Sequence, residues 1–546
     1  MDKSDNKFLL RLLAASALGL SLLISGCSGG STDPGNSTPS ITITYLRPWG
    51  PDVKFPAGED QDNNVHTRWA KEKLGLELKN LWVSPSTNNA FETKLRLTLA
   101  SDAEMPDIIA YRGDFNLVRE LIESGKFLDA GELFDEYAGD VWKQAVNEDP
   151  AVWYPFMQDG KRIGIPILDY AYNSDPVMWI REDWMQTFGF DAPKTLSDLE
   201  NIMEAFTNQD PDGNGEKDTY GLTIGFKNWV NTWMSDAGWV FGAYGAMPNQ
   251  WNLTEDGELE FGSVAPESKQ ALEKLHSWMS KGYIPEMAGW YDEAKAVEEF
   301  TAGRAGIVVG PHWMPSWPLE DLEKNVEGAR LKAYPIPSGD DGQAGRHGTS
   351  IANGVILINK DMAHPEAFFT YQNYLFNHFA NPTVSGDFEI GLAADDTPEG
   401  DQPLPDEEPA ESYISEKYTI TFDGARIPGL NMATLLKLAR GEEAQTPFEK
   451  RVEASASRVM LEAAEIVMDQ KDLSMKQMFT GAPTATMQMN NDILAKLEKD
   501  AFTQIIYGKE PIDSFDTFVE KWKAAGGEQI TREVNEWYRS VRGEEH

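Results

Sequence analysis

The segment ITITYLRPWG, residues 41–50, alternates apolar Ile41, Ile43 and Tyr45 with polar residues and stops at a Pro-Trp-Gly turn. That is the pattern of a half-buried strand delivering Trp49 to a loop. Apolar residues at helical spacing follow over 65–74, LELKNLWV at 76–83 reads as a second strand, and Phe91, Leu95 and Leu99 share one face of a helix over 90–100. The short apolar run Pro106-Asp107-Ile108-Ile109-Ala110 completes a β–α–β–α–β alternation, which favours a sheet with helices on both faces. Ligands of open α/β sheets collect beyond the carboxyl ends of the strands. Trp49 and the Tyr111-Arg112-Gly113-Asp114 turn stand just past two such ends.

Further along, TLSDLENIMEAF predicts a helix over 195–206, with Ser197 and Glu200 spaced as a capping box. Leu272, Leu275 and Met279 form a helical stripe within 267–282, which Gly282 can terminate. Ile307-Val308-Val309 reads as a buried strand leading to a Gly-Pro turn that carries Trp313 and Trp317. A further strand in NGVILIN, a helix over 364–375 and a helical last 70 residues complete the pattern. The stretch 395–411, dense in acidic residues and proline, reads as a mobile surface insertion.

Composition removes whole classes of function. The 546 residues hold 48 Lys plus Arg against 88 Asp plus Glu, a formal charge of −40, which argues against any general grip on nucleic acid phosphates. With 41% hydrophobic residues the chain fills a core, so its acidity belongs to a solvated surface. The single cysteine, Cys27, excludes an intrachain disulfide and any CxxC metal knuckle. Lys3, Lys7 and Arg11 precede an apolar run from Leu12 to Ile24, the layout of an export signal over 1–26. Ile24-Ser25-Gly26-Cys27 resembles a bacterial lipobox, which implies lipidation of Cys27 and anchoring at the extracellular face of the cytoplasmic membrane. Residues 27–40 then form a flexible Gly/Ser/Thr/Pro tether with a reach of about 20 Å.

The lipobox, ASDAEMPDII (100–109), DGKRIGIP (159–166), WIREDW (179–184), DPDGNGEKDTYG (210–221), FTAGRAGIVVG (300–310) and the closing FDTFVEKWKAAGGEQITREVNEWY (515–538) occur in one order along the chain. Together they resemble the extracellular solute-binding lipoproteins of bacterial ABC importers, in the large carbohydrate-type group. The resemblance implies an α/β, two-lobed periplasmic-binding-protein-like fold of type II, a hinge with several chain crossings, and a helical C-terminal extension. The expected division is lobe 1 over 41–168, lobe 2 over 169–325, lobe 1 again over 326–378, and an acidic insertion with a helical region over 379–546 that mainly completes lobe 2. The crossings are expected near 167–172 and 318–333. The implied function is capture of an oligosaccharide between the lobes and its delivery to the permease subunits of an ABC transporter, by a monomer that catalyses no reaction.

A sugar site needs an aromatic plane under the ring and carboxylates or amides around its edge. The resemblance to maltose-binding relatives gives Tyr111 a stacking role, Asp114 a hydroxyl-binding role, and Trp313 the part of an aromatic platform. It places Asp169 or Tyr170 near a sugar-binding carboxylate. Trp49, Tyr172 and Trp233 join them as candidate ligand-binding residues beside turns. Asp210, Asp212, Asn214, Glu216 and Asp218 match the first nine positions of an EF-hand-type loop, with Gly215 at position 6, and suit structural Ca²⁺. Position 12 is Gly221, so the usual bidentate Glu is missing. No HExxH, GxSxG or GxxxxGK[ST] motif is present, and no catalytic residue is expected. Two alternatives stay open: a secreted glycoside hydrolase or lyase, and a peptide-binding receptor of the same fold. Net charge does not decide between a neutral and an acidic sugar.

Overall fold

The computed structural model describes residues 40–50, 53–55, 57–101, 103–348, 350–381, 418–422 and 425–542. The export signal, Cys27, the tether as far as Pro39 and the acidic stretch 395–411 lie outside the described residues. Among the described residues no helix is long and apolar enough to cross a membrane.

From residue 40 onward the described residues are built on two main sheets, with three two-stranded ribbons beside them. The first has five strands in the order Leu76–Asn80, Ile41–Leu46, Ile108–Tyr111, Ala352–Ile358, Gly164–Leu168. Ile41–Leu46 pairs in parallel with Leu76–Asn80 and with Ile108–Tyr111, as the opening alternation requires. Ala352–Ile358 runs antiparallel to both of its neighbours. The helix expected over 90–100 is Ala90–Ala100, with Phe91 and Leu95 buried. The helical stretch over 65–74 begins as Val65–Trp69 and widens to a π turn over Ala70–Leu74.

The second sheet is antiparallel, Pro176–Arg181 flanked by Ile307–Pro311 and Leu331–Tyr334. Alternation along its central strand sorts the core. Met178 and Ile180 face a cluster with Trp184, Phe206 and the C-terminal helices Ala485–Ile506 and Ser514–Trp522. Val177 and Trp179 face another with Leu435, Phe448 and Val467 from the helices that follow residue 430. Fully buried Trp179 also donates Nε1–H to the Pro311 carbonyl at 3.1 Å, so its one polar atom is satisfied.

Two expectations are corrected here. The chain does not return to the first sheet at 318–333: Ala333 stands opposite Trp179 in the second sheet, and the return comes at Ala352. Ala333 packs on one face of that sheet and Tyr334 on the other, so both faces hold this strand in place. The capping box of Leu196–Asn208 is Thr195 with Asp198, not Ser197 with Glu200. A bridge between Thr195 and Ser338 keeps Thr195 extended, which makes it the N-cap. Ser197 instead donates to Asp340, and Glu200 accepts from Lys274 and Trp278.

Candidate functional site

Among the described residues three connections join the two sheets. One runs 169–175 between Gly164–Leu168 and Pro176–Arg181, one lies between Arg346–Gly348 and Ala352–Ile358, and one leads from Ala425, packed on the first sheet, to the Leu430–Ala439 helix, packed on the second. They leave the first sheet at the carboxyl ends of its parallel strands, since Leu168 pairs with Ala352 and Tyr111 with Val355. The connections bind one another. Asp169 N–H donates to Ile351 O and Ala171 N–H to Pro428 O, both at 2.8 Å. The Asp169 carboxylate accepts from Asn353 Nδ2 at 3.0 Å and Asn173 Nδ2 at 3.2 Å, and pairs with Arg426. Asp169, a candidate sugar-binding carboxylate, therefore spends its oxygens on all three crossings. Gly354, at φ +117°, allows this closeness: a Cβ there would sit 2.7 Å from the Tyr111 carbonyl.

Beside the first connection the structure gathers four of the other candidates. Tyr170 lies under the Arg426 guanidinium, 4.8 Å from its ring centre, and packs on Phe448. Tyr172, at φ +62°, belongs with Tyr170 and Trp313 to the rim of the same apolar cluster. Trp313 donates Nε1–H to Asn173 O at 2.6 Å, which fixes its ring against the crossing. Trp233 and Trp317 complete a triad with it. The three ring centres are 6.0, 6.1 and 6.2 Å apart, with planes within 6° to 26° of parallel. Three nearly equal separations describe a triangle and not a column, so the indoles form an offset aromatic surface. Trp233 and Trp317 are 39% and 51% exposed, a conspicuous outlay of apolar area in a chain that buries Trp179, Trp184 and Trp239 completely.

Buried charge supports this surface from within. Arg346, fully buried, lies 3.2 Å from Asp175 and donates to the Val467 carbonyl. Burial lowers its pKa, and Asp175 offsets part of that cost. His347 Nδ1 is 3.4 Å from Asp236. Burial disfavours its charge, yet the Asp236 carboxylate prevails and its pKa is raised. Asp236 also accepts from the backbone of Thr232 and Gly238, and so clamps the loop that carries Trp233. His312, beside Trp313 in the chain, is buried, and burial next to Arg346 lowers its pKa to about 4.

The candidates from the first sheet behave differently. Trp49 is only 3% exposed and donates to Asn80 Oδ1 at 3.2 Å. Tyr111 is fully buried: its hydroxyl donates to Glu92 and accepts from Asp114 N–H, and its ring stacks on Phe91. Asp114 caps the Phe115–Glu123 helix and pairs with Arg96 at 2.7 Å. Trp49 and Tyr111 thus have their rings in the core, while Asp114 stays half-exposed in its pairing with Arg96. What stands at this edge is a cation–π series, with Arg47 between Trp49 and Phe422 and Arg112 on Phe422, at 4.4 to 4.8 Å. Arg112 also donates to Asn353 O, next to the second crossing. The sequence signal for Arg112 was its place directly after the Tyr111 strand end, and for Trp317 its spacing of four from Trp313. Phe422 had no local signal.

The 210–218 loop is folded on itself. Asp210 accepts from Asn214 and Gly215 N–H, and Asn214 Nδ2 donates to Asp212 at 2.9 Å and to Asp218 at 3.3 Å. Gly215 has φ +82°, which explains glycine at position 6. Burial and then the neighbouring carboxylates Asp210 and Asp218 raise the pKa of Asp212. Glu216 directs only its main chain inward, through N–H to Asn214 Oδ1. Among the described residues no group of three or more His, Cys, Asp or Glu side chains is already arranged as a metal site.

Two sheet-centred lobes, joined by three mutually bonded crossings with an aromatic surface beside them, define a binding protein of the two-lobed type. Residues 58–378 match the family model described as bacterial extracellular solute-binding protein, and the chain belongs to that family. It is 24% identical over 478 residues to the polygalacturonan/rhamnogalacturonan-binding protein YtcQ of Bacillus subtilis, covering 86% of this chain and 87% of that one. It is 23% identical over 530 residues to lipoprotein LipO of the same organism, covering 95% and 97%. Its fold is also that of the Streptococcus pneumoniae ABC-transporter substrate binding protein FusA, solved as an EF-hand mutant with fructo-nystose. That likeness has a TM-score of 0.63 at 17% identity and covers 92% of this chain and all of that one.

Proposed function

We propose that this protein is a lipid-anchored extracellular receptor that captures an oligosaccharide between its lobes and hands it, chemically unchanged, to an ABC-type permease. The observation that carries the reading is the Trp233–Trp313–Trp317 surface beside the crossings: three nearly parallel indole planes, two of them exposed and Trp313 half-buried, match the apolar faces of successive sugar rings. Tyr170, Tyr172 and the Arg112 edge of the first lobe supply the remaining contacts as the lobes close. Stacking and hydroxyl hydrogen bonds favour the closed form, which the permease recognises. The names of YtcQ and FusA support a saccharide guest, and LipO supports the anchor at Cys27.

The 210–218 loop holds Ca²⁺ in this reading, through Asp210, Asp212, Asn214, Asp218 and the Glu216 carbonyl. The ion relieves the crowding of three carboxylates and pins the turn after Leu196–Asn208. The direct test of the main reading is calorimetric titration of the mature protein with neutral and acidic oligosaccharides. Binding by the wild type and its loss in Trp313→Ala support the reading, and silence across both sugar classes refutes it.

A further inference from the structure

Away from the tryptophan triad, a cavity of about 520 Å³ opens between the Trp251–Phe261 hairpin, the loop carrying Trp229 and the C-terminal helices. That size lies within the range of small-molecule sites. Its walls are aromatic: Trp229, Trp251, and Phe261, whose ring stacks on Trp522 at 5.2 Å and 4°. Polar residues break the apolar lining at Asn249, Gln477, Asn491, Asp492 and Glu498. Asn249 lies at φ +60° with both amide atoms buried and without a partner. Glu498, 3% exposed, accepts from Ser263 Oγ at 2.7 Å through Oε1, while its Oε2 has no hydrogen-bond partner among the described residues.

Asn249 N–H donates to Ser263 Oγ at 2.7 Å, and the Ser263 hydroxyl donates onward to Glu498 Oε1. Oε1 is thus engaged by Ser263, and Oε2 is the carboxyl oxygen left for a guest. Burial pushes the Glu498 pKa up to about 8, and the Ser263 bond lowers it only in part, so at neutral pH the group is a neutral donor. Asp492 is the other ionisable residue of the lining, on the same helix, and no Lys, Arg or His is among the lining residues. Lys499 lies in a separate small recess that also touches Glu498. From the packed helices and hairpin, Glu533 bonds Thr486, and Glu260 is set against Glu267 and Lys523.

We propose that this cavity is a further saccharide subsite that takes one neutral, uncharged sugar ring, stacked on its indoles and hydrogen-bonded to Asn249 and Glu498. An amide with both ends unpaired needs a guest that donates and accepts, as a hydroxyl does and a cation or a methyl group does not. A uronate would enter beside two acids with no cation to meet it. Trp229 and Trp233 are four residues apart, so by chain length the cavity and the triad are bridged by at most about 14 Å of backbone. In this proposal one oligosaccharide is long enough to engage both. The proposal rests on the saccharide reading of the triad.

The test is calorimetric titration of the full mature chain with neutral malto-, fructo- and galacto-oligosaccharides of two to five units, and with oligogalacturonates of the same lengths. Wild type should show an affinity gain of tenfold or more at one added neutral unit, shrinking between pH 7 and pH 9. Asn249→Gly, which keeps the backbone conformation, and Glu498→Leu should each remove that gain. Glu498→Gln should keep it and make it insensitive to pH. The cavity proposal is overturned if no length step exists, if the step survives both deletions, or if it is larger for the oligogalacturonates. Short sugars that bind through Trp317 without any step refute the cavity alone, whereas no binding of any sugar refutes the saccharide reading itself.

Discussion

Replacing Glu498 with Gln should stabilise the protein at neutral pH. The carboxyl is buried on the Ala485–Ile506 helix with a pKa near 8, against 4.5 for an unperturbed Glu. Folding at pH 7 must therefore protonate a group that is ionised in the unfolded chain. Because the folded value is the higher one, the stability it contributes is complete below pH 4.5 and is lost as pH rises towards 8. At about 1.4 kcal/mol per pH unit, the loss between 4.5 and pH 7 comes to about 3 kcal/mol. Glutamine keeps the acceptor for Ser263 and does not titrate. Urea unfolding at pH 4, 5.5, 7 and 8 should give nearly equal stabilities for the two proteins at pH 4 and a gap that widens with pH. Parallel curves, or a variant less stable at pH 7, would refute the reasoning.

Other outcomes follow from the same geometry. Trp317→Ala removes an exposed indole and should weaken oligosaccharide binding by about 2 kcal/mol, roughly thirtyfold, with little change in melting temperature; calorimetry and thermal unfolding read both. Asp169→Ala breaks the knot of the three crossings and should lower unfolding stability by about 2–4 kcal/mol in denaturant titration, since Arg426 loses a partly buried partner. The raised pKa of His347 means that its pairing with Asp236 stabilises the fold below pH 6.5 and that this contribution fades as pH rises through the folded value. His347→Gln should accordingly flatten the stability profile there. Ca²⁺ added to chelated protein should raise the melting temperature, and the Asp212→Asn, Asp218→Asn double variant should abolish that rise.

The parts of this molecule legible in its sequence are those decided locally. Period-two and period-3.6 patterns placed the opening strands and the Ala90–Ala100 helix, and a Gly-Pro turn marked Trp313. What escaped was decided by distant partners. Asp169 is consumed by Asn353 and Arg426, 184 and 257 residues away. Tyr111 has the composition of a ligand-facing residue, but Glu92 and the Asp114 N–H draw its hydroxyl into the core. Trp49 faces inward because Asn80 meets its indole N–H and Arg47 covers its face. Glu498 sits in an ordinary helical stretch, and only the packing of the hairpin against that helix makes it a buried acid.

The most direct test of the account is native mass spectrometry of the mature protein mixed with neutral oligosaccharides, followed by analysis of the sugar released on denaturation. The account predicts a one-to-one complex that is lost in Trp313→Ala and releases its guest at its original length. A shortened guest, or a protein that carries no sugar, would contradict it.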